Sequence, residues 1–139
     1  MGLGFVIADL ISKGIQVALP ISEHLPFDLI AISEGNELKT VSVKYRTLDG
    51  FGDISMSFRS TYADSFGSHV RKHDKTSYDS VAIYCPDTKL CYYMNVSDFK
   101  DNTFVYLRIT PTINRQVKNI RMSTDYLDPH KMFESAPVG

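Results

Sequence analysis

Strong net charge is the first thing this chain lacks. Its 15 basic and 16 acidic residues leave −1 at pH 7, which excludes a uniformly basic nucleic-acid binder and confines any polyanion-binding surface to a local patch. Long apolar runs are missing too. Stretches such as Leu29–Ile32 fall far short of the roughly 20 residues a membrane helix needs. Met1–Ile11 carries no basic leader, so neither a signal peptide nor a membrane partner is expected. Cysteine is scarce as well. Cys85 and Cys91 flank Pro86–Leu90 on opposite arms of an expected hairpin. Without a secretory signal they point to reduced thiols, and a zinc site would need two further ligands.

What is present argues for one compact domain spanning residues 1–139. The 43% hydrophobic and 12% aromatic content supplies a core, and the mixed charge argues against disorder. The neutral total hides an asymmetry: residues 1–38 carry one Lys and five acids, whereas residues 39–139 carry 14 basic and 11 acidic groups.

Leu3, Ile7, Leu10 and Ile11 recur at helical spacing, and Gly14 suits a left-handed cap, predicting a helix over Gly2–Lys13. Ile15–Leu19 reads as a short strand stopped by Pro20, and Ile21–Pro26 as a loop. Phe27–Ser33 is a nearly continuous apolar run broken by Asp28, which predicts a central strand covered on both faces. Gly35-Asn36 is a turn signal, and Leu38–Arg46 is the next strand. The alternation of Asp53–Arg59 predicts a half-buried strand, whereas Ser60–Ser77, with little periodic apolar content, reads as a long loop. Ser80–Cys85 and Leu90–Val96 pair across Pro86–Lys89, and Thr103–Thr110 is a last strand ended by Pro111. Met122–Phe133, interrupted by Pro129, is a short irregular helix. The fold class is therefore α/β: one N-terminal helix followed by a central helix-flanked β-meander, with additional hairpins.

Two short segments carry chemistry, Pro26-Phe27-Asp28 and Ser42-Val43-Lys44. Strand alternation puts Ser42, Lys44 and Arg46 on one face and Val41, Val43 and Tyr45 on the other. Pairing through the Gly35-Asn36 turn brings Asp28 and Lys44 to the same open end. A carboxylate there suits a hard divalent cation. The Lys suits orienting or deprotonating a water, or stabilising charge that develops on phosphate. A metal polarises a phosphoryl oxygen and lowers the pKa of its water. The grouping fits phosphodiester hydrolysis, with Ser42 as an auxiliary ligand and the Val43 carbonyl as a candidate direct ligand.

The segment VIADLISKGIQVALPISEHLPFDLIAI, followed by LKTVSVKYR, resembles the group I intron-associated homing endonucleases of the PD-(D/E)XK nuclease superfamily. YDSVAIYCPDTKLCYYMN resembles that family's distal hairpin, so the likeness covers about two thirds of the chain. The resemblance implies a restriction-endonuclease-like core, Mg²⁺-dependent double-strand DNA cleavage, and a tetramer built as a dimer of dimers. It also implies the cytoplasm of a bacterial or phage-infected bacterial cell. Asp28 matches the motif's metal-binding Asp, and Lys44 its Lys. Ser42 stands where the motif has Glu, Asp or Gln, and Phe5 stands where the family often carries an acid on its first helix. Asp9, one turn further on, is the candidate substitute for that acid. These departures keep a catalytically impaired DNA-binding protein open as an alternative, beside a Holliday-junction resolvase on the same scaffold.

Glu23 and His24 precede Asp28 and read as a solvated loop, while Pro86-Asp87 with Lys89 mimics the motif but reads as a hairpin turn. Two segments suit contacts to duplex DNA. Ser55, Ser57 and Arg59 project from one face of a strand that continues to Arg71 and Lys72, a candidate β-ribbon for the major groove. Arg115, Lys118 and Arg121 lie in a segment, residues 100–121, with only Asp101 opposing its positive charge, and suit phosphate contacts.

Overall fold

The computed structural model describes residues 2–57, 59–64, 67–72, 78–99, 104–109 and 120–134. Helical apolar spacing winds Leu3–Ser12 into α1, which buries Val6 and Leu10. Gly14, at φ 88°, ends it. The Ile15 N–H donates to the Leu10 carbonyl at 2.9 Å and the Gly14 N–H to the Ile11 carbonyl at 3.2 Å, the paired bonds of a Schellman stop. A Cβ at position 14 would also fall 2.9 Å from Glu34 Oε1.

Three strands follow as an antiparallel meander: β1 (Gln16–Ala18), β2 (Leu29–Ile32) and β3 (Leu38–Tyr45). The β2–β3 turn uses Asn36 at φ 65°, with its N–H on the Ser33 carbonyl at 2.9 Å. Then come β4 (Asp53–Ser57), β5 (Arg59–Asp64), β6 (Gly67–Lys72), β7 (Ser80–Cys85) and β8 (Leu90–Asn95). After a 3-10 turn at Val96–Phe99 come β9 (Phe104–Arg108) and β10 (Ile120–Met122), and 3-10 turns at Ser123–Tyr126 and Pro129–Phe133. The principal sheet has the order β1-β2-β3-β7-β8, and only its β3–β7 pair is parallel. A second sheet has the order β10-β9-β4, and β5 with β6 forms a two-stranded antiparallel ribbon.

The principal sheet is packed on both faces. Ala82, Tyr93, Leu29, Ala31 and Val41 meet Val6 and Leu10 of α1, together with Met132. On the opposite face Val81, Ile83, Tyr92 and Met94 meet Ile54, Met56, Val105 and Leu107 of the second sheet. Each large side chain so buried contributes about 1.5–3 kcal/mol. Cys85 belongs to the second core and Cys91 to the first, so the two free thiols lie on opposite sides of the sheet. Among the described residues no helix is long and apolar enough to cross a membrane.

Five sequence expectations are corrected. Asp53–Arg59 is not one strand: Asp53–Ser57 joins the second sheet and Arg59 opens the ribbon, and the Thr103–Thr110 strand is not the last, because β10 follows β9. Ser60–Ser77 is not a long loop within its described part, because β5 and β6 pair there from Arg59↔Lys72 to Asp64↔Gly67. Backbone pairing holds this ribbon, and its sequence carries no apolar alternation to announce it. The Phe27–Ser33 strand shortens to Leu29–Ile32 and is fully covered on one face only: Leu29 and Ala31 are buried, Ile30 and Ile32 half-buried. The Met122–Phe133 helix resolves into two 3-10 turns, with Pro129 opening the second and Asp128 capping it through the His130 N–H.

Candidate active site

Asp28 stands one residue ahead of β2, and its N–H extends the ladder to the Val41 carbonyl at 2.9 Å. Beyond it β2 does not continue, so β3, still paired with β7, has no β2 partner at Val43. The Asp28 carboxylate takes that place. Its Oδ2 accepts the Val43 N–H at 2.7 Å, a short, charge-assisted bond that fixes the side chain across the end of the strand pair. Its other oxygen makes no hydrogen bond among the described residues, and Asp28 as a whole is exposed. The result is a carboxylate held in place with one oxygen unbonded among the described residues.

Beyond the Leu29↔Val41 pair, Asp28 thus holds β3 on either side of Ser42, through the Val41 carbonyl and the Val43 N–H. Ser42 and Lys44 stand in register with Val81 and Ile83 and so share the face covered by the second sheet. Ser42 is buried at 5% exposure, whereas Lys44 and Arg46 are half-buried at the margin. Burial holds the Lys44 ammonium below its ordinary pKa, repulsion from Arg46 lowers it further, and the Asp28 carboxylate opposes both. Arg46 anchors through its own guanidinium, which donates to the Tyr45 carbonyl at 2.9 Å. The face therefore presents a fixed carboxylate, a hydroxyl and two cations. Arg46 is the residue that motif reading left out of the site, although its place two positions after Lys44 was visible in the alternation.

The other candidates are distributed differently. Asp9 lies on the opposite face, against β8, where its carboxylate accepts the Tyr93 hydroxyl at 2.5 Å and pairs with Lys13 at 3.0 Å. It is committed there and does not replace the missing acid near Asp28. Phe5 stacks on Tyr84, ring centroids 4.2 Å apart and 5° from parallel. Glu23 and His24 are exposed, and among the described residues no three His, Cys, Asp or Glu side chains gather as a metal cluster. Pro86–Lys89 is a turn closed by the Lys89 N–H on the Cys85 carbonyl at 2.8 Å; Asp87 there accepts the Leu48 N–H at 2.8 Å.

Of the candidate DNA-contacting residues, Ser55 sits half-buried on β4 opposite Tyr106. Ser57 ends β4, Arg59 opens β5, and Arg71 and Lys72 close β6, with Arg59 paired to Lys72 and Ser60 to Arg71. The backbone thus divides the first group: Ser55 and Ser57 belong to the second sheet, and only Arg59, Arg71 and Lys72 share the β5–β6 ribbon. Arg121 lies on β10, half-buried, with its guanidinium 3.4 Å from the Tyr126 hydroxyl. Arg115 and Lys118 lie outside the described residues. Sequence reasoning also missed the Asp53–Arg108 pair, joined by two contacts of 3.3 Å across β4 and β9. Nothing in the spacing of those two residues foretells it.

A helix-backed mixed sheet with an Asp at one strand's entry and an x-Lys on its neighbour defines an endonuclease-type scaffold. The chain belongs to the PD-(D/E)XK endonuclease family, whose family model matches residues 3–129. Its fold is similar to that of the bacterial homing endonuclease I-Ssp6803I, with a TM-score of 0.70 at 20% sequence identity, over 88% of this chain and 81% of that one. A search of curated proteins gives no match.

Proposed function

We propose that the chain is a single-domain, site-specific endonuclease that hydrolyses both strands of duplex DNA with Mg²⁺, in the manner of a homing enzyme. The observation that carries this reading is the Asp28 carboxylate, pinned to the Val43 N–H with its second oxygen unbonded among the described residues, beside a half-buried Lys44. The second Asp28 oxygen, the Ser42 hydroxyl and the Val43 carbonyl form an all-oxygen donor set. That suits Mg²⁺, which takes one or two carboxylates and keeps several waters. When bound, the ion supplies polarisation of the phosphoryl oxygen and a more acidic water.

The chain's own residues do the rest. Lys44 places positive charge where charge develops on the phosphate, or accepts a proton in its neutral form, which burial favours. Arg46, on the same face, adds a second cation toward the phosphate. Ser42 orients a water without adding charge. The β5–β6 ribbon supplies base readout, and the segment holding Arg115, Lys118 and Arg121 supplies phosphate contacts. One such site per chain and two strands to cut call for two-fold assembly, and the family resemblance extends this to a tetramer.

A binding-only protein is the second reading, favoured by Phe5 stacked on Tyr84 and Asp9 committed to Tyr93. Digestion of a DNA library with Mg²⁺, with sequencing of the ends, separates the two. Double-strand ends at one recurrent sequence support the endonuclease, and sequence-selective binding without ends supports the binder. Cutting of four-way junctions in preference to linear duplex would instead indicate the resolvase.

A further inference from the structure

Phe5 is 54% exposed on the first turns of α1 although it is a large apolar ring. It forms one wall of an open pocket of about 340 Å³ on the helix side of the principal sheet. Tyr84 backs that wall, Ala8 and Cys91 line the pocket, and Asp9, Ser12 and Lys89 bring polar groups to it; the Asp9 carboxylate is paired with Lys13 at 3.0 Å and accepts the Tyr93 hydroxyl, and the Ser12 hydroxyl donates to the Asp9 carbonyl at 2.7 Å. Lys89 projects from the β7–β8 turn, fixed there by its φ of 59°, and it has no ion-pair partner among the described residues. With the one acid of the lining already neutralised by Lys13, a flat aromatic wall beside the Lys89 ammonium suits a planar heteroaromatic ring carrying an anionic group.

The pocket is tied to the candidate active site. Tyr45, 45% exposed, lies 6.0 Å from Tyr84, so Phe5, Tyr84 and Tyr45 form a row that ends at the residue following Lys44, on the opposite face of β3. At the start of α1, a Cβ on Gly2 would lie 3.5 Å from the Lys44 carbonyl and 3.6 Å from Val43 Cγ1. Val43 is the residue whose N–H holds Asp28. The pocket and the site thus occupy the two faces of one sheet end.

We propose that this pocket receives one unpaired nucleotide of the strand being cut, its base stacked on Phe5 and its phosphate on Lys89. The inference rests on the endonuclease reading and deepens it, since a duplex must then release a base from its stack next to the cut. Unstacking is least costly where the base is mismatched. Stacking on an aromatic side chain tolerates every base, so the pocket adds strength rather than sequence preference.

The test uses the full chain and duplexes holding the cleavage sequence, with 2-aminopurine near the cut, either paired with thymine or opposite an abasic position. Binding is read from 2-aminopurine emission without divalent metal, and cleavage with Mg²⁺. The wild type should bind and cut the pre-unpaired duplex about five- to a hundredfold better, with emission quenched by stacking. Phe5→Ala should abolish that advantage, and Lys89→Ala should reduce it while leaving thermal stability unchanged, which guards against loss of fold. If the wild type cuts paired duplex but shows no such advantage, or keeps it in both variants, the inference falls and the endonuclease reading stands. If emission is quenched and the variants reverse it, yet no DNA is ever cut, the pocket stands and the endonuclease reading falls.

Discussion

Replacing Asp28 separates what the side chain does for the strand from what it does for the reaction. Its Oδ2 is the acceptor for the Val43 N–H at 2.7 Å, and a hydrogen bond to a charged group contributes about 1.5–3 kcal/mol. Because Asp28 is exposed, water replaces part of that bond and the low end applies. Asp28→Ala should therefore cost about 1.5 kcal/mol and lower Tm by roughly 3–6 °C in a chain of this size. Asp28→Asn keeps a carbonyl oxygen for the same N–H and should cost less than about 1 kcal/mol. Both variants lose the anionic oxygen proposed for Mg²⁺, so both should lose cleavage by at least about a hundredfold while DNA binding stays within about tenfold. Urea melts, a plasmid-cleavage time course and a DNA titration, run on the same three proteins, provide the three readouts. Near wild-type cleavage by Asp28→Asn would end the assignment of this site. Equal stability of Asp28→Ala and the wild type would show that the carboxylate does not hold β3.

Lys44→Ala should abolish cleavage with binding within about tenfold, checked in the same plasmid and titration assays. With its folded pKa below 10.5, the wild-type Lys44 sheds its proton earlier than in the unfolded chain. The unfolded state then binds more protons across the window between the two values, and stability should rise with pH there. Lys44→Met should flatten that rise, measured by urea melts at several pH values. Ser42→Ala should slow cleavage by about one to two orders of magnitude, whereas Ser42→Gln should retain Mg²⁺ binding and cut faster; unchanged rate and metal affinity in both would remove Ser42 from the site. Arg59→Ala should cost about 1–3 kcal/mol at one target position and relax preference there. Lys118→Ala should weaken all duplexes alike and flatten the log K against log salt slope by about one unit. Affinities for single-base variants at several salt concentrations would distinguish these two effects.

Local signals carried much of the fold. Gly14 announced the end of α1, Gly35-Asn36 the β2–β3 turn, and Pro86–Lys89 the β7–β8 hairpin, because each is a backbone requirement met by a residue suited to it. The parallel β3–β7 pair, joining Val41 to Ser80 across the chain, has no local signal and was not foreseen. The ribbon was missed for the opposite reason: its pairing rests on the backbone, which leaves nothing periodic to read. At the site, the shared face of Ser42 and Lys44 follows from strand alternation alone, and the structure keeps it. The bond from Val43 to Asp28 required knowing where β2 stops. Asp9 was misplaced because helical spacing tells which residues share a face but not which side of a sheet the helix covers.

The partition of the two cysteines has a practical reach. With Tyr84 opposite Cys91 and Cys85 opposite Leu90, the thiols point away from each other through the thickness of the sheet, so no internal crosslink can form. Burial pushes the Cys91 thiol up to about 11, which disfavours the thiolate, the form that attacks. Cys85 has no accessible surface at all. The native thiols should thus react slowly with alkylating dyes while the fold is intact, Cys85 least of all. A cysteine engineered at the surface would be the single fast-reacting handle, ready for a fluorophore or spin label without first stripping the chain of its own.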